Sequence, residues 1–110
     1  MLYLIKMKGI ENVLAGPPEA NIALMETMIL PTLKTLTGLE KDGKLRGGAM
    51  SGRRELLFVM DFPSNDEAGK FVMGLPWWPV HDCEVIALQP IQSHVPMVEQ
   101  AIKQTKAMVR

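Results

Sequence analysis

Residues Leu2 to Lys8 alternate, with Tyr3, Ile5 and Met7 on one side and Leu4, Lys6 and Lys8 on the other. That period of two predicts a half-buried strand. After a loop holding Gly16-Pro17-Pro18, apolar residues recur at Ile22, Met25, Ile29, Leu33 and Leu36. Spacings of three and four predict an amphipathic helix over 20–36. Pro31 interrupts the pattern; it has no amide proton and crowds the turn before it, so a kink or break is expected near Leu30. Gly38 is expected to end the helix, and Lys41-Asp42-Gly43-Lys44 reads as a turn.

A second strand is expected over 44–51, interrupted by Gly47 and Gly48. Glycines inside a strand mark a bulge or a close approach. Gly52-Arg53 turns the chain into a third strand over 54–62, with Leu56, Phe58, Met60 and Phe62 on one face and Leu57 and Val59 on the other. Ser64-Asn65-Asp66-Glu67 has capping-box spacing and starts a helix that runs to about Met73 and stops at Gly74. Residues 75–82 read as irregular, with two prolines and two tryptophans. Cys83 to Gln89 reads as a fourth strand, closed by Pro90. Ser93 is a possible cap for a last helix to Met108, with Val98, Ala101, Ile102, Thr105 and Val109 on one face.

The order β-α-β-β-α-β predicts an α+β, ferredoxin-like fold: a four-stranded antiparallel sheet with two helices on one face. Residues 1–92 would form that domain and 93–110 a C-terminal helix left over from it. Leu57, Val59, Ile86 and Leu88 give the sheet a second apolar face, which two helices on one side leave bare. A second copy of the sheet is the simplest cover, so a homodimer or higher oligomer is expected, with the C-terminal helix packing on a neighbouring subunit.

Composition narrows the function classes. The 110 residues carry 12 Lys+Arg and 12 Asp+Glu, a balance with no electrostatic footprint for nucleic acid or an anionic membrane. One cysteine, Cys83, excludes an intrachain disulfide, and with two histidines it makes no metal site expected. No apolar run approaches the roughly 20 residues that span a bilayer, and the start, MLYLIKMKG, does not read as a signal peptide. The expectation is a cytoplasmic protein. Nine methionines against six aromatics suggest a soft core, a subunit interface or a pliable pocket. The spacings of phosphate-binding glycine loops and of a Ser-His-Asp hydrolase are missing.

The segment Leu75-Pro76-Trp77-Trp78-Pro79-Val80-His81-Asp82-Cys83-Glu84-Val85 resembles the muconolactone delta-isomerase family of small dimeric α+β barrels. There a helix is followed by Leu-Pro, two bulky residues, Pro and a short polar stretch leading into the last strand. Asp42-Gly43-Lys44-Leu45-Arg46 is similar to the family's turn into its second strand, with Leu45 standing where the family has tryptophan. Asp61-Phe62-Pro63-Ser64 resembles the start of its second helix. The similarity spans about residues 40–90. It implies cofactor-free chemistry in which a proton moves along an unsaturated carboxylated lactone, with no cofactor and a small-molecule substrate as partner.

Such a reaction needs a base at carbon, a donor for the developing enolate and a cation for the carboxylate. His81 is the first candidate base, because an imidazole titrates near neutrality. Asp82 and Glu84 share one side of a strand and form a candidate carboxylate pair; Glu26 on the first helix is a third. Arg46, at the family position, is the candidate carboxylate clamp. Trp77 and Trp78 would wall the pocket, with Tyr3 and Arg54 as further substrate contacts. Arg53 reads as a turn residue, His94 as a helix-start residue and Cys83 as a small packed side chain. Other expectations from the same fold are a non-catalytic binding or oligomerisation module and a monooxygenase, including a haem-degrading one.

Overall fold

Strands β1 (Leu2–Gly9), β2 (Leu45–Ala49), β3 (Glu55–Asp61) and β4 (His81–Ala87) form one antiparallel sheet in the order β2-β3-β1-β4. The computed structural model describes residues 1–109. Helices α1 (Pro18–Leu24), α2 (Leu30–Lys41) and α3 (Asn65–Met73) cover one face, and α4 (His94–Met108) follows the sheet. This is the expected α+β architecture.

Register explains why one face is core. Tyr3 pairs with Met60 and Ala87, Ile5 with Phe58 and Val85, and Met7 with Leu56 and Cys83. Directly paired residues project to the same side of a sheet. Ile5, Met7, Phe58 and Met60 meet Leu36 from α2, Val72 from α3, and Leu75 and Trp77 from the segment between α3 and β4. Each of these buried side chains contributes about 1.5–3 kcal/mol.

The first helix is longer than its periodicity predicts. Pro31 does not break it; a π turn at Met25–Ile29 joins α1 to α2 in one rod. The widened turn lies immediately before the proline, where the missing donor and the crowded Thr27 carbonyl would otherwise strain an α-helix. Gly38 does not stop the rod either. Gly43, at φ +73°, is the terminator: its N–H donates to the Glu40 carbonyl at 3.0 Å and the Lys44 N–H to the Leu39 carbonyl at 2.9 Å. That pair of bonds is a Schellman end, which needs the left-handed residue one step past the helix.

Three further expectations are corrected. β4 starts at His81, two residues early, because Gly9 and Lys8 of β1 pair with His81 and Asp82. The Ser64 side chain accepts from the Glu67 N–H at 3.2 Å, but the Glu67 carboxylate turns to Lys70, so only half of the capping box forms. Ser93 caps nothing; its hydroxyl donates to the Pro90 carbonyl at 2.7 Å inside the short 3-10 turn Ile91–Ser93.

The helix-free face of the sheet is apolar at one end: Leu2 is 50% exposed, Leu57 39% and Ile86 42%. Every residue of α4 is exposed. The helix carries Val98, Ala101 and Ile102 along one side, and it packs chiefly on the turn that launches it. The radius of gyration is 19.3 Å. A compact chain of this length has about 13 Å, so α4 extends the molecule rather than closing it.

Candidate functional site

One cleft combines enclosure with chemistry. It lies where β1 ends, between the sheet and the helical rod, and has a volume of about 300 Å³. Gly9 makes the room. Its N–H donates to the Arg54 carbonyl at 3.0 Å on one side, and it pairs with His81 on the other. The central strand therefore presents no side chain between β3 and β4 at this level. Met25 and Ile29 from the π turn and Leu33 from α2 form the opposite wall, with Val13 and Leu14 closing one end. The spacing of four that marked these helix residues as a face is what lines the cleft.

The polar groups converge from three segments. His81 and Trp77 come from the start of β4 and the segment before it; Arg53, Arg54 and Glu55 come from the hairpin that starts β3. The Trp77 ring is stacked on His81 at a centroid distance of 4.0 Å and an interplanar angle of 20°. Trp77 is itself fixed: its backbone N–H donates to Thr32 Oγ1 at 3.1 Å and its indole N–H to Met7 Sδ at 3.1 Å. The imidazole is thus held by a platform anchored to both the sheet and α2.

His81 Nδ1 is buried and has no hydrogen-bond partner among the described residues. Burial lowers the His81 pKa below its ordinary 6.5, outweighing the nearby Trp77 carbonyl and the Asp82 carboxylate, which both raise it. His81 is therefore neutral at pH 7, in the form that accepts a proton. Glu55 is 6% exposed. Arg53 Nε lies 2.6 Å from Glu55 Oε2, yet that oxygen has no aligned hydrogen bond, so the carboxylate keeps accepting capacity.

The lowered pKa has a consequence for stability. Unfolded His81 takes up its proton near 6.5, before the folded residue does. Between those two values the unfolded state binds more protons, so stability falls as pH drops through that window and is unaffected above it. Denaturant melts from pH 7.5 to 5 should show this loss, and His81→Gln should remove it.

The structure separates the other residues singled out in the sequence. Trp77 and Arg54 line the cleft with His81. Arg46 pairs with Val59 and stands on the helix-free face, at a separate hollow of about 450 Å³ that it lines with Lys44 and Asp61. Asp82 and Glu84 do share a face, but it is also the helix-free one, opposite Lys8 and Lys6. His81, expected in an irregular segment, is the first residue of β4 instead. Glu26 is exposed on the outside of the rod. Trp78 is 38% exposed and does not line the cleft. Tyr3 is in the core at the far end of the sheet, where its hydroxyl donates to Asn65 Oδ1 at 2.8 Å. His94 opens α4, away from the cleft. Cys83 is half-buried, and burial together with Asp82 pushes its thiol pKa up. Glu55 and Gly9 carried no sequence signal as site residues; Glu55 was legible only as a carboxylate that follows two arginines and opens an apolar strand.

Among the described residues, no group of three or more His, Cys, Asp or Glu is arranged to hold a metal ion. No helix among them is long and apolar enough to cross a membrane.

No protein-family model and no curated protein matches the chain. A solved structure does: the crystal structure of muconolactone isomerase, at 25% sequence identity and a TM-score of 0.63, over 86% of this chain and 95% of that one. A four-stranded antiparallel sheet covered by helices and aligned over nearly the whole of that enzyme gives this chain a muconolactone isomerase-like fold.

Proposed function

We propose that the protein is a cofactor-free isomerase that shifts a double bond in a small unsaturated acid or lactone bound in the His81 cleft. The observation that carries this reading is an imidazole whose buried Nδ1 has no hydrogen-bond partner among the described residues, stacked on Trp77 in an apolar cleft that Arg53 and Arg54 also line. The similarity to muconolactone isomerase over most of both chains supports it.

The step is a proton relay. His81 takes a proton from the carbon between the substrate carbonyl and its double bond. The electron pair delocalises onto the carbonyl oxygen as an enolate. Return of the proton at the far end of the double bond moves that bond and leaves the composition unchanged. Arg53 and Arg54 would neutralise the enolate or hold a carboxylate, the role that the resemblance assigned to Arg46. The apolar walls exclude water, which strengthens these charge interactions.

The test is turnover of β,γ-unsaturated lactones and acids, followed by the absorbance of the conjugated product. His81→Gln should lower the rate about a hundredfold, the scale of a lost general base. An undiminished rate in that variant would sink the assignment.

We also infer self-association, because the bare sheet face around Leu57 and Ile86 and the apolar side of α4 lie unpartnered in one chain. A second copy would cover both.

A further inference from the structure

The His81 cleft does not end under the π turn. A second hollow of about 160 Å³ lies next to it, toward the β2 edge and beside α2. Leu33, Ala49 and Leu56 line both spaces. Together they form a trough. The far hollow is walled by Leu36, Leu45 and Phe58, with Thr37 and the acidic residue Glu40 on the side formed by α2. At the His81 end Arg53 is paired with Glu55, which leaves Arg54 as the cation there with no salt bridge among the described residues. One positive charge is in excess there.

We propose that the trough binds an elongated, apolar monocarboxylate: its ionised head at Arg54, its body lying under Leu33 toward the β2 edge. This rests on the preceding reading for the position of the site and goes beyond it in the class of ligand. A compact lactone acid would fill the His81 end alone and leave the far hollow to water. An apolar body displaces that water, and the gain grows with the area covered. The single excess charge matches one carboxylate and leaves a second one uncompensated.

Straight-chain alkanoates of six, eight and ten carbons are the probes, with the amide of the eight-carbon acid and the eight-carbon α,ω-diacid as comparisons. Binding is read by titration calorimetry at pH 7.5. Each added methylene should tighten binding about threefold until the trough is full. Octanoate should bind about tenfold tighter than octanamide, the scale of a charge-assisted contact, and tighter than the diacid. Leu33→Trp should block the junction of the two hollows and flatten the length series. Because Leu33 is 36% exposed, that variant should fold, and its melting curve checks this. Gly9→Leu provides a second block at the other end: a Cβ there meets only ordinary contacts, the nearest being Arg54 Cβ at 3.6 Å.

An affinity independent of chain length, or equal for octanoate and octanamide, would overturn the ligand class. So would a length series unchanged in both blocked variants, because the chains would then be binding elsewhere, such as the bare sheet face. A length- and charge-dependent series in a protein that isomerises nothing supports the ligand class while removing the proton-transfer reading, so the two can fail separately.

Discussion

Gly47→Ala should cost the fold about 2–4 kcal/mol, the combined scale of a forbidden backbone conformation and an overpacked contact. Gly47 sits in β2 at φ +148°, a region that L side chains rarely adopt. A Cβ there would collide with the Leu57 carbonyl oxygen and lie 2.5 Å from Phe58 Cα. Both are backbone atoms of β3, so no side chain can rotate away. The only relief is to move β2 off β3, and this would also lift Leu45, a 5% exposed core residue, from its place. Gly48 is the internal control. It is the next residue, its φ is ordinary, and a Cβ there meets nothing within 4 Å. Gly48→Ala should change stability by less than about 0.5 kcal/mol, as surface substitutions do. Chemical denaturation of both variants checks the pair, and equal midpoints would refute this account of the close approach.

Trp77→Ala should be the most damaging single truncation in the core. Trp77 is 2% exposed and is among the largest fully buried side chains. Cutting a buried tryptophan to alanine costs about 3–5 kcal/mol in lost burial and residual cavity. The indole bond to Met7 Sδ goes with it, whereas the backbone bond to Thr32 Oγ1 can remain. The second effect is on His81. Its ring rests on the indole at 4.0 Å, so removing the indole opens the imidazole to water. Burial is the main cause of the lowered pKa, and relieving it should move His81 back up toward 6.5. Titration of the His81 ring protons by NMR reads this directly. Trp77→Phe should keep more of the stability and more of the lowered pKa, because a flat ring still covers the imidazole. If His81 titrated identically in all three proteins, Trp77 would not be its platform.

Much of the architecture was legible in the chain. Alternation at Tyr3, Ile5 and Met7, and again at Phe58 and Met60, identified the inward faces because a strand has a strict period of two. Spacings of three and four at Met25, Ile29 and Leu33 identified the side of the rod that lines the cleft. The apolar side of α4 was visible in the same way. Helix ends were less legible, because they depend on local geometry that several residue types satisfy. Gly38 and Gly43 are both glycines, and only the φ angle distinguishes the terminator. Pro31 was rightly read as a disturbance, but a π turn absorbs it without breaking the rod.

The composition of the site was decided by tertiary structure. Sequence adjacency grouped His81 with Asp82 and Glu84, yet two-residue periodicity puts both carboxylates on the side of the sheet away from the helices. The same rule removes Arg46 from the cleft, because its neighbour Leu45 fills the core face of β2. Arg54 shares a cleft with His81 because β1 lies between β3 and β4 and ends in a residue without a side chain. The sequence by itself determined the elements, their inward faces, and His81 and Trp77 as separate candidates, since these follow from local periodicity and side-chain chemistry; that the two rings stack is a tertiary fact. Which charged groups share a cavity with His81 was decided by strand order and register, which bring together residues as distant as Arg54 and His81 on the two sides of Gly9.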